Sequence, residues 1–83
     1  MSDLWVIRDE EDDIQGITLS SVDAFTWIKR RLLELREYGE LTGGEYEQAV
    51  DILNKSFLEY INYNTGCFGT GPYFYAVRPT ILK

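Results

Sequence analysis

Residues 4–20 read "LWVIRDEEDDIQGITLS", and how this stretch folds decides the architecture. Two short runs of β-formers mixed with charges, "LWVIRD" (4–9) and "DIQGITLS" (13–20), flank five consecutive carboxylates: Asp9, Glu10, Glu11, Asp12 and Asp13. Strand, polar turn, strand is the pattern of a β-hairpin. The turn has no Gly at its tip, so a loop of about four or five residues fits better than a tight two-residue one.

The hairpin runs into a helix. Ser20-x-x-Asp23 has capping-box spacing, with Asp in place of the usual Glu. At 100° per residue, positions 22–38 place Val22, Ala24, Phe25, Ile28, Leu32, Leu33 and Leu35 on one broad face. Lys29 and Arg36 fall inside that apolar arc, so their stems should lie along core surface while the charges reach water. Trp27, Arg30, Arg31 and Glu34 fall outside it. Gly39 breaks the pattern, and Thr42-x-x-Glu45 opens a second helix with the preferred capping-box pair. From 45 to 63 the apolar stripe is Tyr46, Ala49, Val50, Leu53, Phe57, Tyr60 and Ile61. The opposite face carries Glu47, Asp51, Asn54, Lys55, Glu59 and Asn62. The short connection predicts an antiparallel helix pair.

"NTGCFGTGP" (64–72) reads as a flexible glycine-rich connector with positive-φ turns. "YFYAVRPTIL" (73–82) reads as a third strand of about six residues, which Pro79 ends or confines to an edge. The expected fold is therefore a single α+β domain, β-β-α-α-β. Its sheet has three mainly antiparallel strands packed against the helix pair, so that each apolar stripe finds a partner.

Composition narrows the function. The chain has 83 residues, 45% hydrophobic and 27% charged, with a net charge of −6. That charge disfavours direct binding to DNA or RNA, because phosphate affinity comes from Lys and Arg. It favours a basic protein partner. One cysteine, Cys67, excludes an internal disulfide and suits a reducing compartment. The opening residues lack the basic stretch and apolar core of a secretory signal. No apolar run approaches the ~20 residues of a membrane span. A cytoplasmic setting is expected, with no membrane partner.

Catalytic and metal motifs fail on inspection. Asp9-x-Glu11-x-Asp13 has the start of calcium-loop spacing, but Ile14 stands where Gly is needed and Ser20 where a bidentate Glu belongs. Paired carboxylates at a polar tip lack the desolvation that acid–base catalysis requires. The chain has no His, and Cys67 has no basic neighbour in sequence to activate it. "GCFGTG" (66–71) follows a helix and precedes a strand, the reverse of a phosphate loop. No enzyme, cofactor or metal centre is expected.

The charge distribution leaves two readings beside a merely solvated acidic face. Residues 1–13 carry Asp3 and the five acids of the turn against Arg8 alone, and Glu47, Asp51 and Glu59 add a second acidic set on the second helix. In the first reading these side chains occupy phosphate positions on a basic, nucleic-acid-binding groove of another protein or ribonucleoprotein. Trp27, Arg30 and Arg31 form an alternative contact patch, since Trp and Arg are enriched at interface hot spots. The competing reading of Trp27 packs it under the hairpin or the final strand. In the second reading the protein is a small structural or homodimerising module whose aromatic C-terminal strand, Tyr73, Phe74 and Tyr75, pairs with a copy of itself or a larger assembly. Either a monomer or a homodimer is compatible with the sequence.

The hairpin "WVIRDEEDDIQGI" running into an amphipathic helix, with "YFYAVRP" closing the sheet, resembles short proteins encoded by phages and mobile elements. Its size, acidity and lack of catalytic residues are similar to those of anti-CRISPR and anti-restriction proteins. The resemblance covers general character and the stretch 4–38. It implies an inhibitor that occupies a nucleic-acid site on a host defence complex or blocks its conformational change. It assigns no role to any numbered residue.

Overall fold

The structure is a computed structural model that describes residues 4–78. Its elements are β1 (Trp5–Asp9), β2 (Ile14–Thr18), α1 (Ser21–Glu37), α2 (Gly43–Tyr63), β3 (Cys67–Gly69) and β4 (Phe74–Val77). The class is α+β as expected, but the sheet has four strands, all antiparallel, in the order β2-β1-β4-β3.

The additional strand, β3, lies inside the glycine-rich segment expected to be a flexible connector. Phe68 explains it: this ring is buried against Trp5, Phe57 and Tyr60, with centroids 5.2, 4.9 and 5.6 Å away. Burying one large aromatic side chain stabilises by roughly 1.5–3 kcal/mol, enough to fix a three-residue strand beside β4. Gly69 makes the approach possible, because a Cβ there would lie 2.6 Å from the Phe74 carbonyl oxygen. The buried Thr70 hydroxyl and amide then close the hairpin onto Phe74. Gly66 and Gly71 do adopt positive φ. β4 spans four residues rather than about six, and Pro79 lies outside the described residues.

Both helices are capped as their sequences require. The Ser20 hydroxyl accepts from the Asp23 amide at 3.0 Å. Thr42 and Glu45 form the reciprocal capping box, at 2.9 and 3.1 Å. Gly39, at φ 83°, ends α1, with the Glu40 and Gly39 amides donating back to Leu35 and Arg36. That is the Schellman arrangement.

The core lies between the helices and one face of the sheet. Trp5, Ile7, Phe68, Phe74 and Ala76 point inward from the strands and meet Ala24, Ile28, Leu32, Ala49 and Leu53. The charged ends of Lys29 and Arg36 lie over rings: the Lys29 ammonium sits 5.9 Å from the Phe25 centroid and the Arg36 guanidinium 5.3 Å from that of Tyr46. Val22, Leu33 and Ile61, all expected on apolar faces, are exposed. Val22 and Ile61 sit near helix ends. α2 is about 31 Å long, whereas strands of four or five residues span about half that, so the end of its stripe overruns the sheet.

Candidate functional site

The acidic turn is a built structure. Asp9 Oδ1 accepts the amides of Glu11 and Asp13 at 2.9 and 3.0 Å, and its Oδ2 accepts from Gln15 Nε2 at 2.7 Å. The first of these is an Asx turn, a common use of Asp in loops. The backbone adds Asp9 N–H to the Asp13 carbonyl and Asp12 N–H to the Asp9 carbonyl, both at 3.0 Å. Asp12 takes the left-handed conformation, φ 67°, which Asp tolerates better than most residues.

Asp12 is tied down as well. Arg8 Nη1 donates to its carbonyl at 2.7 Å, and Arg8 Nε lies 3.8 Å from its carboxylate. The Tyr75 hydroxyl donates to Asp12 Oδ1. That hydrogen bond to a carboxylate raises the Tyr75 phenol above its ordinary value of 10.0, with Arg8 acting in the opposite direction. The five carboxylates therefore divide. Asp9 and Asp12 hold the turn together, while Glu10, Glu11 and Asp13 stand exposed on it. One carboxylate oxygen each from Asp9, Glu11 and Asp13 lie within 4.8 Å of one another. This convergence is a product of the Asx turn, and both oxygens of Asp9 are already engaged.

Register explains the turn's placement. Ile7 faces Gly16 but Arg8 faces Ile14, so Gln15 is the extra residue of a β-bulge. The bulge bends β2 and carries the Gln15 side chain to Asp9. The turn thus borders a cleft of about 320 Å³ shared by Glu10, Arg31, Leu35, Glu40, Leu41 and Tyr73. Glu40, in the connection between the helices, joins the turn at this end of the molecule. Gln15 and Glu40 were not singled out from sequence, Arg8 was read only as the lone cation of the acidic stretch, and Tyr75 was assigned to a pairing strand rather than to this turn. The strand pairing of β1 with β4 sets Arg8 opposite Tyr75 and brings that pair to the turn.

The remaining predicted residues are dispersed. Glu47, Asp51 and Glu59 are exposed on α2, which packs on α1 and β3, and Asp51 pairs with Lys55 at 3.1 Å. Trp27 packs between the hairpin and the final strand. Its ring touches the backbone of Gly16 and meets Phe74 edge-on, with centroids 5.7 Å apart. Arg30 is exposed and shares a shallow depression with Trp27, Ile17 and Leu19. Arg31 instead pairs with Glu34 at 3.1 Å and borders the cleft beside the acidic turn. The patch of Trp27, Arg30 and Arg31 is thus divided between two places.

The aromatic C-terminal strand is not an edge. β4 is paired with β1 on one side and β3 on the other, and Phe74 is buried. Strand-to-strand pairing through Phe74–Val77 is closed, because its backbone groups are already taken. The outer strands are β2 and β3, and α2 reaches β3 through a 3.1 Å bond from the Gly69 amide to Ser56 Oγ.

No helix among the described residues is long and apolar enough to cross a membrane. Comparison with protein-family models, curated proteins and solved structures finds no match to this chain.

Proposed function

We propose that this is a non-enzymatic binding protein whose acidic hairpin turn docks on a basic surface that another protein or ribonucleoprotein uses to hold nucleic acid. It would act as an inhibitor of the phage-encoded anti-CRISPR or anti-restriction type, inside the cytoplasm of a host cell. The division of labour in the turn carries this reading. Asp9 and Asp12 are bonded internally, so Glu10, Glu11 and Asp13 are displayed from a fixed backbone. Carboxylates on an ordered turn lose less backbone entropy on docking than carboxylates on a loose loop. Glu47 and Glu59 extend the negative field that steers association. The chain contains no His, and the turn stands in solvent rather than in the dry pocket that acid–base catalysis needs.

The test compares the wild type with a triple variant, Glu10→Gln, Glu11→Gln and Asp13→Asn, as baits in bacterial lysate. Asp9 and Asp12 are kept so that the turn survives. The expected result is capture of a nucleic-acid-binding complex by the wild type, its displacement by added oligonucleotide or salt, and no capture by the variant. Equal capture by both baits, or capture that oligonucleotide does not displace, refutes the reading.

A further inference from the structure

The cleft beside the acidic turn has two kinds of lining. Leu41 and Phe74, only 6% and 7% exposed, lie at its bottom, and the half-buried Leu35 and Tyr73 extend that apolar surface outward. The exposed Glu10 and Glu40 stand at its mouth, one from the turn and one from the connection between the helices. Neither forms an ion pair among the described residues. Asp9 adds a third negative charge, but both of its oxygens are engaged within the hairpin. Arg31 is the one cation in the lining, and Glu34 already offsets it. Three carboxylates against one guanidinium leave an excess of two negative charges over an apolar floor.

We infer that this cleft receives one arginine side chain of the partner, its guanidinium between Glu10 and Glu40 and its stem against Leu35, Leu41 and Tyr73. The inference rests on the docking of the acidic turn proposed above and names what the partner supplies. Charge selects a cation, and the net charge of −6 draws it in from a distance. The apolar floor selects which cation. A hard metal ion holds its water and takes more oxygen ligands than two carboxylates offer. An ammonium is compact and strongly hydrated, so it gains little from leucine and tyrosine surfaces. A guanidinium is planar and weakly hydrated, stacks on aromatic rings and carries donors for two carboxylates at once, and its stem is apolar. The volume of about 320 Å³ holds one long side chain, not a helix. Arg31, half-buried in the same lining, competes with the incoming charge.

Titration of the isotopically labelled full chain with acetyl-Gly-Arg-Gly-amide, followed by amide chemical shifts, tests this without the partner. The lysine peptide of the same charge is the control, at matched ionic strength. The expected result is saturable shifts centred on Glu10, Glu40, Leu41 and Tyr73, with a dissociation constant in the millimolar range. The lysine peptide should bind about threefold more weakly or worse. Glu40→Gln should weaken binding of the arginine peptide about two- to fivefold, the worth of one exposed ion pair. Arg31→Gln should strengthen it by a similar factor. Both side chains reach solvent, so both variants should keep the wild-type fold, seen as unchanged shifts in the core. Absence of saturable shifts, shifts confined to Glu11 and Asp13, equal binding of the two peptides, or binding indifferent to Glu40→Gln overturns the inference. None of these outcomes touches the docking reading, which fails on its own if the lysate capture fails while the arginine peptide still binds.

Discussion

The indole of Trp27 lies against the backbone of Gly16: a Cβ at that glycine would stand 3.0 Å from both Cε2 and Nε1 of the ring. The contact locks α1 to the bulged strand β2 and explains why a strand interior carries a glycine. Gly16→Ala should therefore destabilise the fold by about 1–3 kcal/mol, the usual cost of overpacking. The penalty should shrink in a Trp27→Phe background, where the ring is smaller. A double-mutant cycle by urea unfolding checks this, and additive effects would show that the two residues do not press on each other.

Gly69 is held more tightly. Its Cβ would meet backbone atoms of Phe74 and Tyr75 at 2.6–2.7 Å, and these cannot move without parting β3 from β4. Gly69→Ala should cost about 3 kcal/mol or more, exceeding Gly16→Ala. Denaturant titration of both variants ranks them, and the opposite order would contradict this account of β3.

Asp9 should matter to the turn through its acceptors rather than its charge. Asp9→Ala removes three hydrogen bonds, at a net cost of about 1–2 kcal/mol for a partly exposed site. Asp9→Asn keeps an oxygen acceptor and should cost less. Hydrogen exchange at the amides of Glu11 and Asp13 should quicken in the alanine variant. Unchanged exchange there would mean that another feature orders the turn.

Tyr75 should titrate above 10.0 because its hydroxyl donates to the Asp12 carboxylate. A folded-state value above the unfolded one means that the native state holds the proton longer. The resulting stability is fully present below pH 10.0 and is lost as pH rises through the folded value. Phenolate absorbance, read as the difference between wild type and Tyr75→Phe, gives the titration. Asp12→Asn should bring it back down, and a titration indifferent to Asp12 would remove the basis for this bond.

Thr42→Ala should lower stability by about 1 kcal/mol through loss of the capping box, with Thr42→Ser nearly neutral. Thermal melts of the two variants are sufficient to tell.

Much of the fold was legible because its signals are local. Caps at Ser20 and Thr42 mark helix starts by hydrogen bonds spanning three residues, and a stop at Gly39 needs only a positive φ. The hairpin was legible too, from its two β-rich runs and the polar segment between them. β3 was not, since "CFG" is too short for periodicity to register and its glycines signal a loop. It is a strand because Phe68 finds three aromatic rings supplied by distant elements.

The acidic run was conspicuous in sequence as charge, but its five members looked alike. Tertiary structure separates them, because Asp12 meets a tyrosine 63 residues away while Asp9 turns back on its own loop. The fate of the final aromatic strand was likewise set by strand order, a property of the assembled sheet. The sequence by itself determined where helices begin and end, which residues seek the core and that the surface is strongly negative, since these depend on neighbours within a turn or two. Only the packed structure decided which carboxylates are free, which strands lie at the edge of the described sheet and which of its faces carries the helices, because those depend on contacts between residues that the chain keeps far apart.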